Sequence, residues 1–228
     1  MKKFKRLKIG KIFVILILLS LFILISAISY VDAVSNNIAD SVFRLHVIAN
    51  SNSKEDQELK LKVRDELLSY MNIISKDSTS KQEAMQIANE HKEEFTQIAE
   101  KVIKENGYNY TVNVQIGKAD FPTKYYGDIT LPAGTYDALK VQIGEAKGQN
   151  WWCVMFPPLC FVDVSTGIVP DNSKQELKQS LDNEEYDLIS KTDNNEISFK
   201  FKIVELFQNW RLGNKSAKVE EIKEKYWK

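Results

Sequence analysis

The chain has 228 residues, 43% of them hydrophobic, with 31 Lys+Arg balanced by 31 Asp+Glu. That length suits one domain, or a domain with a small appendage, and the apolar content argues against disorder over most of it. The balance is uneven: without the six cations and one acid of residues 1–33, the rest holds 25 basic against 30 acidic residues, a net −5 that disfavours nucleic acid as principal partner.

The six cations are Lys2, Lys3, Lys5, Arg6, Lys8 and Lys11, and directly after them Ile12 to Ile28 run without a charge. A basic cluster followed by 17 apolar-rich residues is the layout of a secretory signal or a membrane anchor. As a helix at about 1.5 Å per residue, 17 to 20 residues reach roughly 26–30 Å, close to one hydrocarbon core. Ile25-Ser26-Ala27 and Val31-Asp32-Ala33 offer small or aliphatic residues where a signal peptidase reads. The long apolar run favours an anchor, which would place residues 12–28 in the membrane. In either case the cations stay inside and everything after residue 33 is expected outside.

Val42 to Asn50 reads as a strand from its β-branched content, and Asn50 to Ser53 as a turn. Ser53 with Asp56 forms a capping box for a helix over 54–72, whose stripe is Leu59, Val63, Leu67 and Met71. Ser80 with Glu83 repeats the signal. A second helical stripe follows through Ala84, Ile87, Ala88, His91, Phe95, Ile98, Ala99, Val102 and Ile103, stopped at Asn106-Gly107. Tyr108 to Ile116 alternates apolar and polar residues as a half-buried strand does.

Residues 117–135 hold three glycines and two prolines around Tyr125-Tyr126, a structured loop. Tyr136–Ile143 and Trp151–Phe156 form a candidate hairpin joined through 144–150, with Pro157-Pro158 ending its second strand. Ser173 to Leu181 suggests a short helix, Asp182 to Asn195 a charged linker, and Ile197 to Trp210 a longer helix. The order predicts an α+β fold. An N-terminal signal or anchor helix (1–33) precedes a globular domain (34–170), whose mostly antiparallel sheet is covered on one face by two amphipathic helices. A helical extension (171–228) closes the chain.

Chemistry is sparse. His46 lies within a strand and His91 on an apolar helical stripe, where packed or hydrogen-bonded roles are commoner than catalysis. No HExxH, CxxC or clustered His/Cys spacing points to a metal, and no glycine-rich phosphate loop or GxSxG elbow to a cofactor or acyl transfer. Asp120, Asp128, Asp137 and Asp163 show no spacing that selects an acid–base pair; Asp128 and Asp137 read as turn or surface groups. Cys153 and Cys160 are the two thiols. A fully extended chain would hold them roughly 23 Å apart on opposite faces, so a disulfide requires reversal at Pro157-Pro158. Two buried thiols acting as small apolar residues are the other reading. Trp151 and Trp152 must face opposite sides of a strand. One enters the core and the other needs a second cover, either the 121–135 loop or a partner.

Two stretches stand out together: FRLHVIANSNSKEDQELKLKVRDELL at 43–68 and FPTKYYGDITLPAGTYDALKVQIGEAKGQNWWCVMFPPLCFVD at 121–163. In content, order and spacing, and with the leading signal, they resemble the stage II sporulation protein R family of endospore-forming bacteria. The resemblance implies a non-enzymatic signal made in the forespore and exported into the space between the two membranes. There it would switch on a membrane-embedded aspartic protease of the mother cell, which trims an early sigma-factor precursor. No cofactor and no catalytic residue come with it. The expected contact surface is Arg44, His46, Asn50, Tyr125, Tyr126, Trp151 and Trp152. The competing readings are a cell-wall-binding module and a cell-wall hydrolase using Cys153, with His46, or an aspartate.

Overall fold

The computed structural model describes residues 2–160 and 169–190, without the side chains of residues 2–10, 28, 31 and 32. The expected helix at 197–210, Phe161, Asp163 and the end of the charged linker lie outside the described residues.

The chain begins with α1 (Lys2–Ser41). Its apolar side chains from Ile12 to Ile25 are 44–68% exposed on every side. Among the described residues no helix is long and apolar enough to cross a membrane. The last two turns of α1 behave differently: Val34, Ser35, Ile38 and Ala39 are buried against the sheet. The helix is thus one rod whose C-terminal end is part of the domain.

Strand β1 (Phe43–Ile48) follows at once, then α2 (Lys54–Ile74), α3 (Lys81–Glu90) and α4 (Lys92–Glu105). The serine half of each predicted capping box forms: Ser53 Oγ accepts from the Asp56 N–H and Ser80 Oγ from the Glu83 N–H, each at 3.2 Å, while the acidic side chains turn elsewhere, Asp56 to Asn50 and Ser51 and Glu83 to the Thr79 N–H. The long second stripe is two helices rather than one. The chain breaks at His91 (φ −101°, ψ 21°), whose ring takes a hydrogen bond with Tyr70 Oη at 2.8 Å.

Next come β2 (Val112–Phe121), β3 (Lys124–Tyr126), β4 (Ile129–Leu131), β5 (Gly134–Ile143) and β6 (Asn150–Phe156). The main sheet has the order β2-β5-β1-β6, and β3 and β4 make a separate small hairpin inside the expected loop. Two of its three pairings, β2–β5 and β1–β6, are antiparallel, and β1–β5 is parallel. The expected β5–β6 hairpin is therefore corrected: β1 lies between those strands, pairing Leu45 with Leu139 on one side and with Cys153 on the other. The reason is burial. All six β1 residues are buried, so the strand belongs at the centre with cover on both faces.

Helices α2 to α4 cover one face of the sheet, as expected. Phe43, Leu45 and Val47 of β1 enter that core with Leu139, Val141, Ile143, Met155 and the helical Leu59, Val63, Leu67 and Phe95. Burying each such side chain contributes roughly 1.5–3 kcal/mol. The opposite face carries a second core. Tyr136, Phe121 and Val154 pack there against the end of α1, the β3–β4 hairpin, and α5 (Asp171–Ser180) and α6 (Asn183–Ser190). Helix α6 occupies most of the stretch read from sequence as a linker. It is tied to α1 by Asn37 Nδ2 donating to Glu185 Oε1 at 2.8 Å.

Candidate functional site

The residues expected to form one contact surface divide into two groups. Arg44, His46 and Tyr126 are buried, and Asn50 is half-buried. Tyr125 is 61% exposed, and Trp151 and Trp152 are half-buried.

Arg44 is a correction to the expected surface. It has no exposed area. Its guanidinium lies 3.9 Å from the Phe121 ring centroid and 4.5 Å from that of Tyr136. Nη2 donates to Tyr126 Oη at 2.6 Å, and Tyr126 Oη donates onward to the Trp152 carbonyl at 3.2 Å. No carboxylate pairs with it among the described residues. Aromatic faces and hydroxyl oxygens take the place of a counter-ion. Burial raises the pKa of Tyr126, so its phenol stays protonated and able to donate.

His46, 6% exposed, stacks on Trp152 with ring centroids 3.8 Å apart and planes 23° from parallel. Its Nε2 is 2.7 Å from Asn150 Oδ1, and Nδ1 has no partner. Burial, only partly offset by the Asn150 bond and reinforced by Lys140 and Arg44, lowers its pKa to about 4. The ring is neutral near pH 7.

Asn50 is a clasp. Its Nδ2 donates to Asp56 Oδ2 at 2.8 Å, and its Oδ1 accepts from the Glu145 N–H at 3.0 Å. It thereby fixes the β5–β6 connection to the start of α2. Asp137, expected as a turn or surface group, is buried on β5 and held by Lys81 and by Lys118 at 3.1 Å. Burial pushes its pKa up, and the two lysines outweigh that and hold it below the ordinary value.

The two tryptophans face opposite ways, as an extended strand requires. Trp151 points to the α2 side, where the Arg64 guanidinium lies 4.2 Å from its ring, and its indole N–H is buried and unpartnered. Trp152 points to the second core against Phe121 and His46. Cys153 and Cys160 are bridged with Cα atoms 5.7 Å apart, after the chain reverses at Pro157-Pro158. The Cys153 side chain lies in the α2-side core while His46 faces the other core, so the structure does not bring this thiol and imidazole together. Asp128 is ion-paired with Lys174 at 2.7 Å, and Asp120 accepts from Thr135 Oγ1. No group of three metal-ligating side chains occurs among the described residues.

What remains open is a cleft of about 780 Å³ along β6, walled by α2 on one side and the β3–β4 hairpin on the other. It gathers Tyr125, Tyr126, Trp151 and Trp152 from the expected surface, and adds Lys60, Arg64 and Lys124, which the sequence reading did not single out. Lys60 and Arg64 visibly flank the helix stripe of α2 and Lys124 opens β3, but nothing local says which side of either element faces β6.

Such a fold and cleft define a small α+β domain with an aromatic cleft along one sheet edge. The family described as stage II sporulation protein R matches residues 39–166, more than half of the chain. The chain belongs to that family, and its role is therefore in sporulation. The stage II sporulation protein R of Bacillus subtilis (strain 168) is 42% identical over 130 residues, 57% of this chain and 58% of that protein. The chain thus spans less than two thirds of this relative's length. No solved structure matches it.

Proposed function

We propose that this chain is an exported signal of sporulation that acts by binding. Leaving the forespore, it engages the extracytoplasmic region of a membrane-embedded aspartic protease and favours its active form. The protease then trims an early mother-cell sigma-factor precursor. Family membership carries this reading. Two further features support it: the basic and apolar N-terminus suits export or anchoring, and the cleft along β6 offers aromatic contact area.

A ligand moves an equilibrium only by its differential affinity for the two states. A tenfold shift towards the active protease needs about 1.4 kcal/mol, within reach of one buried aromatic anchor. The test is reconstitution in a host that does not sporulate. The protease and the precursor are expressed with and without the full chain. Processing should rise when the chain is present, and processing unchanged by it would sink the proposal. A phosphatase reporter fused after residue 228, active only in the extracytoplasmic space, checks the side of the membrane.

A further inference from the structure

Among the described residues β6 is one of the two edges of the main sheet, and its outer side opens into the cleft. An antiparallel ladder alternates residues whose backbone groups face the neighbour with residues whose groups face away. Two observations fix the phase on β6. The Val154 N–H points outward to Cys160 Sγ at 3.1 Å, and the Trp152 carbonyl points outward to Tyr126 Oη at 3.2 Å. The outward set is therefore residues 150, 152 and 154. Val154 is closed by the disulfide turn. The Trp152 N–H and both backbone groups of Asn150 face the cleft, with no partner found among the described residues.

An edge of this kind is a pairing template, and stable proteins cover theirs. The α2 wall adds charge. Lys60, only 4% exposed, donates to Gln57 Oε1 and to the Gln149 carbonyl, and no carboxylate pairs with it among the described residues. One turn on, Arg64 lies over Trp151 and, among the described residues, pairs only with the exposed Asp65. Lys124 stands on the opposite wall. Three cations against one acid, Asp65, line this cleft and suit an anionic guest, and the backbone groups of the β6 edge suit one that also carries peptide groups.

We propose that an extended peptide segment bearing an acidic side chain adds to the sheet alongside β6, pairing with the backbone of Asn150 and Trp152 and placing its carboxylate against Lys60 and Arg64. Its apolar side chains alternate onto Trp151 and Leu61. A second copy of this chain fits less well, because two such edges would bring Arg64 and Lys60 against their own like charges. The inference deepens the proposed function by giving the chemistry of the partner segment, but its test needs no protease.

The full chain in detergent micelles is titrated with a fluorescein-labelled library of short peptides that alternate Asp/Glu with Val/Leu, read by anisotropy. A matched Lys/Arg library is the control. The acidic set should bind at least tenfold more tightly. Arg64→Gln should weaken binding about tenfold and Asp65→Asn should strengthen it, with circular dichroism unchanged in both. Methylating the peptide nitrogen that faces the Trp152–Asn150 edge should also cost about tenfold, and amide exchange at Trp152 should slow when peptide is bound. Equal binding of both libraries, no binding of any acidic peptide, indifference to N-methylation, or a dimer held through β6 would each overturn the proposal. Tight peptide binding with no precursor processing would instead count against the proposed function alone.

Discussion

Protonation of His46 should cost this fold stability as the medium turns acid. Asn150 Oδ1 accepts from the Nε2–H, so Nδ1 is the bare nitrogen that would take the proton, and no group is positioned to accept from it there. The folded ring titrates at about 4 against an ordinary 6.5. Lys140 and Arg44 are the charged groups facing it, and both oppose a further positive charge. A depressed histidine pKa means that the unfolded chain binds the proton first. Stability is therefore intact above pH 6.5, falls as pH drops towards 4, and levels off below that for this group. At about 1.4 kcal/mol per unit, the fall between pH 7 and 4 is at most about 3 kcal/mol, less in proportion to the water that reaches the ring edge. The assay is urea unfolding of the full chain in detergent, followed by tryptophan fluorescence at half-unit pH steps, for the native protein and for His46→Gln. Glutamine keeps a hydrogen bond with Asn150 within reach and does not titrate. Carboxylates such as Asp137 titrate in both proteins, so the difference between the two curves isolates His46. The native protein should lose about 2–3 kcal/mol more than the variant across that window. Parallel curves would refute the reasoning.

Arg44→Ala should cost about 3 kcal/mol by emptying the Phe121–Tyr136 cage, and Arg44→Met clearly less, because methionine fills the volume and removes a charge that lacks a carboxylate; denaturant midpoints compare them. Gly144→Ala should cost about 1–2 kcal/mol or more, since φ is +57° and a methyl group there would meet the Asn50 side chain. Gly117→Ala, with nothing within 4 Å, should be neutral or slightly stabilising in the same unfolding assay. Cys160→Ser should cost about 2.5 kcal/mol from the short loop it reopens. Alkylation without reductant, read by mass spectrometry, should label neither Cys153 nor Cys160.

The local elements were legible because they obey local rules. Two serine caps and a fourfold apolar spacing define α2 and the start of α3, and strict alternation defines the first half of β2, whose second half lies in the stretch read as a loop. Strand order was not legible. A connection of six residues between β5 and β6 looks like a hairpin loop, and nothing within 136–156 says that β1 will enter between them. The signal for a central strand is a continuous apolar run. In β1 that run is interrupted by Arg44 and His46, which suggest a face turned to solvent. Both are buried, because rings from Phe121, Tyr126, Tyr136 and Trp152 arrive to cover them. Each ring lies 77 to 106 residues along the chain from the side chain it covers, beyond any periodicity.

The same distance separates what sequence could say about the site from what it could not. Trp151 and Trp152 had to face opposite sides, and one of them had to find a second cover. That follows from pleating alone. Which residues provide the cover depends on two tertiary facts: α2 crosses the α2-side face so that Arg64 reaches Trp151, and the β3–β4 hairpin folds back so that Tyr126 reaches the Trp152 carbonyl. The cleft exists because those two covers stop short of each other over the β6 edge. A cationic wall on α2 then acquires meaning that its spacing never had. Lys60 and Arg64 are four residues apart on one helix, an ordinary solvated pair by pattern, but here they border an open strand edge. A partner reading that edge meets Arg64 beside it, with Lys60 buried behind, so their charge, more than the tryptophans' area, should decide which segments it accepts.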